Sequence, residues 1–248
     1  MSYFDIAVLA WIGLALVLFP IQLLVTAPYG RHVHSGWGPR ISNRLGWSAM
    51  EFVSLVVFAA LFLTGPVPKA PPAWIFFALW MAHYANRSLI YPWRTRTSGK
   101  TIPLAIVASA TVFNVINAGL NGYYLGWLTP YPQSWLMDIR FIVGLILFVF
   151  GAAANLGADD RLISLRSAST EYAIPCGSLF EHVSCPNHLG EIVEWLGFAL
   201  MCWSLPALSF AIWTAANLIP RALSHHRWYA EKFANYPKGR KALIPFVM

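Results

Sequence analysis

The uncharged stretch IAVLAWIGLALVLFPIQLLVT, residues 6–26, decides the fold class of this chain. A helix needs about 20 apolar residues to cross a bilayer core about 30 Å thick, and this stretch supplies them with Pro20 as its one interruption. A secretory signal peptide would carry a basic segment before a shorter apolar core, whereas the first basic residue here is Arg31. The stretch is therefore predicted to be a retained transmembrane helix.

The composition of the whole chain points the same way. Of its 248 residues, 58% are hydrophobic and only 11% are charged, against about 25% charged residues in soluble domains. Soluble, disordered, nucleic-acid-binding and disulfide-rich folds all fit poorly, because the apolar residues form long blocks without a repeating unit. The three cysteines form no CxxC pair and are interpreted as free thiols. A single membrane-embedded domain over residues 1–248 is the prediction.

Further apolar stretches predict spans at 47–63, 73–91, 102–123 and 139–156. The last stretch, 188–219, is long enough for one very long helix or two short ones. Ser204-Leu205-Pro206 offers a turn between two helices, because proline removes a backbone donor and disfavours helix in the residue before it.

The distribution of basic residues decides between six and seven spans. Cytoplasmic loops carry an excess of Lys and Arg, and here the first, third and fifth loops and the C-terminal tail are basic. Seven spans place all of these segments on one side, with the N-terminus outside and the C-terminus cytoplasmic. The fold class is thus an all-α integral membrane protein with seven transmembrane helices, and its net charge of +7 needs no nucleic-acid partner. The basic residues are Arg31, Arg40 and Arg44, then Arg94, Arg96 and Lys100, then Arg161 and Arg166, and in the tail Arg221, Arg227, Lys232, Lys238, Arg240 and Lys241.

Ionisable residues inside the predicted spans are candidates for function, since each is costly in lipid. Glu51 lies in the second span, and a carboxyl kept neutral by burial could donate a hydrogen bond to a ligand carbonyl. A structural helix–helix hydrogen bond is the alternative. In the third span His83, Tyr84 and Arg87 fall within five residues; an interfacial aromatic belt with a snorkelling arginine is the alternative to a donor facing a cavity.

Polar residues also cluster on either side of the fifth loop. The segment from Asn155 to Arg166 combines an amide, acids and arginines, which suit the hydroxyls and phosphates of a nucleotide, or form a solvated loop. His188, Glu191 and Glu194 recur at three-residue spacing, but the matching Glu-x-x-His of a second helix is missing, so no metal site is predicted. No Rossmann, P-loop or nucleophile-elbow motif occurs, and any nucleotide site must be of another kind.

Four motifs stand out in the C-terminal half: YAIPCGSLF (172–180), NHLGEIVEW (187–195), HHRWY (225–229) and YPKGRKALIPF (236–246). They resemble the steroid 5α-reductase family of integral membrane enzymes. The first two are similar to the family patterns Tyr-x-Ile-Pro-x-Gly-x-Leu-Phe and Asn-x-x-Gly-Glu-Ile-x-Glu-Trp, and the last two are similar to its closing signature. The resemblance covers about 90 residues well and the first half through short motifs.

The resemblance implies NADPH-dependent reduction of the 4,5 double bond of 3-oxo-Δ4 steroids. Hydride addition to the enone β-carbon develops negative charge on the ketone oxygen, and donors placed there stabilise the transition state. Glu51 and Tyr84 match the family's catalytic Glu and Tyr, which bind the 3-keto group. Where the family often has Gln before the catalytic Glu, this sequence has Met50.

The resemblance also implies a cofactor site and a location. A cytoplasmic NADPH site is expected in a multi-pass protein of a bacterial inner membrane or the endoplasmic reticulum, with steroid and membrane lipids as partners and a monomer compatible with the sequence. Within the basic third loop, Arg94, Arg96 and Lys100 are alternatives for a phosphate contact. The implied cofactor residues are Tyr29, Arg31, Arg94, Lys100, Asn155, Asp159, Arg166, Tyr172, Asn187, Glu191, Arg221, His225 and Tyr229.

Three other functions are kept open at this point. A relative could reduce another unsaturated lipid, such as an enoyl thioester or a polyprenol derivative. An isoprenylcysteine-type methyltransferase would bind S-adenosylmethionine instead of NADPH, and a non-catalytic lipid-binding protein would bind neither.

Overall fold

The computed structural model describes residues 1–34, 36–97, 99–168 and 172–248, which form two compact units. Unit 1 comprises Met1–Ala27 with Val143–Met248, and unit 2 comprises Pro28–Ile142. The described ranges are predominantly helical, as the long apolar stretches predict, with one short two-stranded sheet.

The described residues form eight α-helices, α1–α8, and two strands, β1 and β2, in chain order. π-Helical segments follow α3 at Asn86–Ile90 and α5 at Tyr124–Leu128, and short 3₁₀ turns cover Gly30–His32, Gln133–Met137 and Ser178–Glu181. The helices are α1 Tyr3–Leu24, α2 Asn43–Thr64, α3 Pro71–Ala85, α4 Tyr91–Arg94, α5 Leu104–Tyr123, α6 Ile139–Ala168, α7 Pro186–Cys202 and α8 Leu205–Lys232, and the strands are β1 Arg40–Ser42 and β2 Thr101–Pro103.

Four helical segments in the described ranges are long and apolar enough to cross a membrane. They are Tyr3–Leu24, Asn43–Thr64, Leu104–Leu128 and Ile139–Arg166. Each coincides with one of the apolar stretches predicted from the sequence to be a span. Stretch 6–26 ends two residues after its helix, and stretch 102–123 begins two residues before its helix. The chain is therefore a membrane protein by length and composition of its helices.

The helix that contains the fifth predicted span, 139–156, continues well beyond it. The apolar run ends near Leu156, but α6 continues to Ala168, so the segment from Asn155 to Arg166 is helical and not a loop. Hydropathy marks where a helix leaves an apolar environment, whereas the helix itself continues as long as its backbone hydrogen bonds are made. Asn155, Asp159 and Arg166 consequently share one helical face.

The apolar stretch 188–219 forms two helices. α7 ends at Cys202, Trp203 adopts a left-handed backbone with φ of 46°, and α8 begins at Leu205. The Ser204 hydroxyl caps α8 by accepting from the Ala207 amide at 3.3 Å. α8 then runs past the apolar stretch to Lys232 and carries part of the basic tail as helix.

In unit 2, α2 packs between α3 and α5. Phe58 stacks on Trp80 with ring centroids 4.4 Å apart, and Phe62 meets Phe77 at 4.8 Å, so α3 runs antiparallel to α2. Gly122 allows α5 close to α2, since a Cβ there would lie 3.0 Å from the Phe58 carbonyl oxygen. At the start of these helices β1 pairs antiparallel with β2, which joins the first and third loops.

In unit 1, α6 and α7 cross in close contact at glycines. A Cβ on Gly190 would lie 2.5 Å from the Asn155 amide nitrogen, and one on Gly197 would lie 2.4 Å from the Phe148 nitrogen. Only glycine permits such a backbone approach. α1 packs on α8, where the Trp213 ring nitrogen donates to the Trp11 carbonyl at 3.0 Å.

Candidate functional site

Glu51 and Tyr84 lie on neighbouring helices of unit 2, within about one helical turn of each other along α2. Trp80 stacks on Phe58 of α2, and Tyr84 follows Trp80 by one turn, with ring centroids 5.2 Å apart. Because α3 is antiparallel to α2, Tyr84 lies at a level of α2 one turn before Phe58. Glu51 is within about one further turn of that level. Tyr84 is 3% exposed, and Glu51 is half-buried.

A π-helical segment begins two residues after Tyr84. The backbone carbonyl of Tyr84 accepts the Ser88 hydroxyl at 2.6 Å, and the segment Asn86–Ile90 widens the helix there. π-Bulges reorient side chains and frequently occur at functional sites. Here Arg87 stands over the rings of Tyr91 at 4.9 Å and Trp47 at 5.9 Å.

Arg87 thus contacts aromatic rings of two elements of unit 2. The sequence permits a snorkelling arginine at this position, and the structure places its guanidinium against two rings as a cation–π contact. Tyr29, predicted as a cofactor residue, packs in a T-shaped contact with the same Trp47 ring, with ring centroids 5.9 Å apart. It also packs on the small apolar cluster formed by Met50, Ile102 and Val107.

The basic candidates of the first and third loops occupy the same end of unit 2. Arg31 is half-buried in the 3₁₀ turn that follows Tyr29, whereas Arg94, Arg96 and Lys100 are exposed. The Lys100 carbonyl accepts the Asn43 amide at 3.0 Å next to the β1–β2 pair. Exposure leaves all three loop cations able to reach an anion, so the structure does not choose among them.

Four predicted cofactor residues form one hydrogen-bond network between α6 and α7. The Asn155 amide nitrogen donates to the Asn187 carbonyl at 2.9 Å and to the Glu191 carboxylate at 3.3 Å. Asn187 donates in turn to the Asp159 carboxylate at 3.1 Å. Asn155 and Asp159 are 3% and 2% exposed. The close glycine contact of α6 with α7 is what brings these four side chains within reach.

A second group in unit 1 gathers around the aromatic residues of α8. Arg166 lies over the Tyr172 ring at 5.6 Å, and Tyr172 packs edge-on against Trp228 at 4.9 Å. Trp228 contacts Tyr229 at 5.2 Å, and Tyr229 is 3% exposed. The predicted cofactor residues Arg166, Tyr172 and Tyr229 are therefore linked by contacts that pass through Trp228. Trp228 belongs to the motif HHRWY but was not among the residues predicted for the site.

Arg221 and His225 also lie on α8. Arg221 is 6% exposed and donates to the Ala27 carbonyl at 2.8 Å, which ties α8 to the end of the α1 segment. His225 lies beside His188 of α7 with ring centroids 5.5 Å apart. His188 directly follows Asn187, so this ring pair adjoins the polar network.

The donors and acceptors of unit 1 suit a nucleotide better than a metal ion. The network offers carboxylates and amides for hydroxyl and amide groups, while Arg166 and Arg221 supply guanidinium groups for phosphates. Within the part of the chain that the structure describes, no three His, Cys, Asp or Glu side chains converge on a point that could hold a metal.

A cleft of about 280 Å³ opens elsewhere on α6 and does not include the predicted residues. Its wall is formed by Ala153, Ala154, Gly157 and Ala158 of α6 and by the loop 177–180, with Arg161 at its rim. The Arg161 guanidinium is held by the Cys176 carbonyl at 2.8 Å. Its lining contains no carboxylate or amide side chain, unlike the polar network on the face of α6 that meets α7.

Comparison with known proteins assigns the chain. Residues 100–248 match the family described as 3-oxo-5-alpha-steroid 4-dehydrogenase. Steroid 5-alpha-reductase DET2 of Solanum lycopersicum is 39% identical over 250 residues, covering 99% of this chain and 97% of the relative. Human 3-oxo-5-alpha-steroid 4-dehydrogenase 2 is 39% identical over 246 residues, covering 97% and 96%. The corresponding type 1 protein of Bos taurus is 39% identical over 241 residues.

The chain belongs to the steroid 5-alpha-reductase family. Sequence motifs alone predicted this membership, and the relatives extend it to the first half of the chain, where the motifs are short. As a member of this family of oxidoreductases, the protein is an enzyme.

Two groups of polar residues in this steroid 5-alpha-reductase family member were missed from the sequence. Asn114, Asn117 and Asn121 are all buried on α5, at the spacing of one helical face inside an apolar span; that spacing was the signal that could have found them. The Ser184 hydroxyl lies 2.7 Å from His226 Nδ1 and 2.6 Å from the Tyr236 hydroxyl. No sequence spacing predicts this second cluster, since its members are far apart in the chain.

Proposed function

We propose that this protein reduces the 4,5 double bond of 3-oxo-Δ4 steroids to 5α-dihydro products, with NADPH as the reductant. The observation that carries the proposal is the placement of Glu51 and Tyr84 at neighbouring levels of α2 and α3, in a family whose named members are steroid 5-alpha-reductases. Both are polar side chains inside an apolar helix pair, which is costly unless they serve a function.

The chemistry of the enone assigns their role. NADPH would supply the hydride that adds to the β-carbon of the enone. As that bond forms, the π electrons move toward the ketone and negative charge develops on the 3-oxo oxygen. The Glu51 carboxyl and the Tyr84 hydroxyl donate hydrogen bonds to this oxygen and so stabilise the enolate-like transition state more than the ketone. A proton from water then adds to the α-carbon, which restores the ketone and completes the 5α-dihydro product.

The ring stacking around Tyr84 supports this role. Trp80 is fully buried against Phe58 and holds the Tyr84 ring from one side. A donor fixed before the reaction needs no reorganisation when charge appears, which is where most of its catalytic effect arises. The backbone carbonyl of Met50, next to Glu51 on α2, accepts a hydrogen bond from the Asn114 side-chain amide of α5 at 2.7 Å.

The residues proposed to hold NADPH follow from the resemblance and are supported by their grouping. In unit 1 the carboxylates and amides of the α6–α7 network would bind the hydroxyl and amide groups, and the arginines would bind the phosphates. In unit 2 the assigned residues are Tyr29, Arg31 and one or more of Arg94, Arg96 and Lys100. The residues proposed in unit 1 are Asn155, Asp159, Arg166, Tyr172, Asn187, Glu191, Arg221, His225 and Tyr229.

We further propose seven membrane spans in one membrane-embedded reductase domain, with the N-terminus outside and the C-terminus in the cytoplasm. The three spans added to the four apolar helices are the segment from α3 to α4, α7, and the apolar part of α8. The β1–β2 pair, which joins two basic loops, supports a common side for those loops. The membrane is a bacterial inner membrane or the endoplasmic reticulum, with NADPH bound from the cytoplasmic side and the protein acting as a monomer.

Activity of the purified protein tests the proposal. With NADPH and testosterone or progesterone, the product identified by mass spectrometry is expected to be the 5α-dihydro steroid. If the protein oxidises NADPH in the presence of an enoyl thioester or a polyprenol derivative, but not in the presence of any steroid tested, the substrate would be that other lipid. Thermal stabilisation by S-adenosylmethionine and not by NADPH would indicate a methyltransferase, and no response to either would indicate a lipid-binding protein.

A further inference from the structure

Ser54 of α2 and Asn117 of α5 are buried polar side chains of unit 2 whose polar atoms have no partner. Both residues are 0% exposed. Among the residues that the structure describes, no atom accepts from or donates to the Ser54 hydroxyl, the Asn117 amide nitrogen or the Asn117 amide oxygen. In an apolar helix bundle such groups are normally satisfied, because no bulk water reaches them.

Other polar side chains of unit 2 show how this fold normally satisfies them. Serine, threonine and asparagine residues inside the helices donate to a backbone carbonyl, in most cases the one four residues earlier. Ser54 departs from this pattern, as does the Ser48 hydroxyl on the same helix. The carbonyl four residues before Ser54 is that of Met50, which already accepts from the Ser54 backbone amide within α2 and from the Asn114 side chain. The satisfied pairs are Ser88 to Tyr84 at 2.6 Å, Thr64 to Ala60 at 2.7 Å, Thr111 to Val107 at 2.8 Å, Asn114 to Met50 at 2.7 Å and Asn121 to Asn117 at 3.0 Å.

The packing of α2 on α5 places the two unpartnered side chains at the same level. Asn114 reaches the Met50 carbonyl, and Gly122 lies against the Phe58 backbone. The two helices therefore run parallel in register between these contacts. Ser54 lies midway between Met50 and Phe58, and Asn117 lies between Asn114 and Gly122.

We infer that Ser54 and Asn117 form a binding site for one uncharged oxygen atom. A hydroxyl and a primary amide can each donate and accept, so together they match an oxygen that is itself a donor, an acceptor or both. Neither side chain carries charge, and an ion would remain uncompensated between them. The Ser54 hydroxyl and the nitrogen and oxygen of the Asn117 amide are three polar atoms, a number within the two to four polar partners that a buried water requires.

Two sources can provide this oxygen: an internal water molecule or an oxygen of the bound steroid. Tyr84, on the third helix of the same unit, lies one turn from Trp80 and hence near the level of Ser54. The steroid source rests on the proposed function, whereas the water source does not. The experiment separates them by measuring the protein with and without steroid.

The variants are Ser54→Ala, Asn117→Leu and the double variant, with Asn121→Leu as the matched control. Asn121 is a buried asparagine of the same helix, but its amide already donates to the Asn117 carbonyl. Thermal unfolding of the full chain in detergent is measured without ligand and with saturating 5α-dihydrotestosterone. The Asn121→Leu change should show no coupling with Ser54→Ala.

A bound water predicts that Ser54→Ala and Asn117→Leu each lower Tm by about 3–6 °C in both conditions. The Tm of the double variant should fall by no more than the larger of the two single decreases, because each variant removes the same water-mediated contact. A steroid oxygen instead predicts a Tm without ligand that is unchanged or higher, and loss of at least half of the steroid-induced rise in both single variants. Either pattern supports the site.

Apolar replacement that does not lower Tm and also leaves the steroid-induced rise intact would overturn the inference, because groups that bind neither water nor steroid only cost stability. A cryo-EM map with the Ser54 hydroxyl bonded directly to the Asn117 amide would also overturn it. If the wild-type protein shows no steroid-induced rise and no steroid turnover, the proposed function fails, while the ligand-free comparison still tests the site.

Discussion

Glu51 is the residue on which the proposed chemistry depends most directly. It lies in an apolar helix with Tyr84 near its level, and the ketone of an enone would take its hydrogen bond. A neutral carboxyl is a stronger hydrogen-bond donor than an amide of the same shape. Replacing the carboxyl by an amide therefore measures the contribution of the acid to turnover. Substitution by glutamine conserves shape and removes the acid.

Glu51→Gln is expected to lower kcat by about 10²-fold, the loss typical of one donor to a developing oxyanion. NADPH affinity should stay within about twofold, since the carboxyl is assigned to the ketone. Steady-state turnover and NADPH fluorescence titration measure the two quantities. Asn121→Gln, a change of amide length on another helix of unit 2, is the control. A fully active Glu51→Gln enzyme would show that this carboxyl has another role.

At the scale of elements, the α6–α7 crossing sets the polar network. The helices approach so closely at Gly151 and Gly190 that no Cβ fits at either position. The separation of the helices, in turn, decides whether Asn155 reaches both Asn187 and Glu191. Helix packing and the geometry of the proposed cofactor site are therefore one property of this pair.

Gly190→Ala is expected to destabilise the protein by about 1–3 kcal/mol, because its Cβ would meet the Asn155 backbone. It should also weaken NADPH binding at least tenfold by separating the network. Gly157→Ala is the matched control, since nothing lies within 4 Å of a Cβ at that position of α6. Chemical denaturation and NADPH titration test both variants. Equal behaviour of the two alanines would contradict the role assigned to the crossing.

The C-terminal segment is a second element whose position is fixed by polar contacts. Lys241 forms a parallel bridge with Val183, and the Arg240 guanidinium donates to the Pro175 carbonyl at 2.9 Å. Ser184, His226 and Tyr236 meet at the centre of this contact. Burial raises the pKa of Tyr236, so its phenol stays protonated and can donate at neutral pH.

His226 makes this contact sensitive to mild acid. Burial lowers the pKa of His226, and the positive charges of Arg240 and Lys241 lower it further. The unfolded chain then binds the proton more tightly, so stability is complete above a pH of about 6.5 and falls as the pH drops below that value. The other groups that face His226 are the Ser184 hydroxyl and the Tyr236 phenol.

We expect the Tm of the wild-type protein to fall between pH 7.5 and pH 5.5, and the His226→Asn variant to fall less. Asparagine keeps a polar group near Ser184 but does not titrate. His34→Asn, at an exposed histidine of unit 2, is the control and should follow the wild type. Differential scanning fluorimetry in detergent measures all three. Parallel curves for wild type and His226→Asn would assign the acid sensitivity to other groups.

At the scale of the whole molecule, the proposed topology is set by basic loops. The fork between Asp138 and Arg140, at 2.7 Å, lies beside a loop without other charges. That fork holds the pKa of Asp138 at about 2 through hydrogen bonds from Arg140. The orientation follows instead from the basic first and third loops, whose ends meet in the β1–β2 pair.

Reporter fusions expressed in bacteria test the seven-span arrangement. Green fluorescent protein fused after residue 248 should fluoresce, because the C-terminus is cytoplasmic. Alkaline phosphatase fused after residue 68, between α2 and α3, should be active outside. The exchanged pair of fusions is the control and should be silent. Active phosphatase at residue 248 would indicate six spans or the opposite orientation.

The sequence by itself determined the membrane class, the order of the apolar helices and the family, because hydropathy, basic loops and motifs are properties of neighbouring residues. It also placed Glu51, Tyr84 and the residues of the α6–α7 network among the candidates. It did not place the end of α6, since a helix can outlast its apolar run. Nor did it show that Trp228 links Tyr172 to Tyr229.

Only the tertiary structure decided which polar groups have partners. The Asn155 network depends on a glycine crossing between segments far apart in sequence, and the isolation of Ser54 depends on Asn114 taking the Met50 carbonyl. Hydrogen bonds act over about 3 Å, whereas sequence spacing fixes only the face and level of a side chain on its own helix. The distance between helices, set by packing, decides whether two such faces meet.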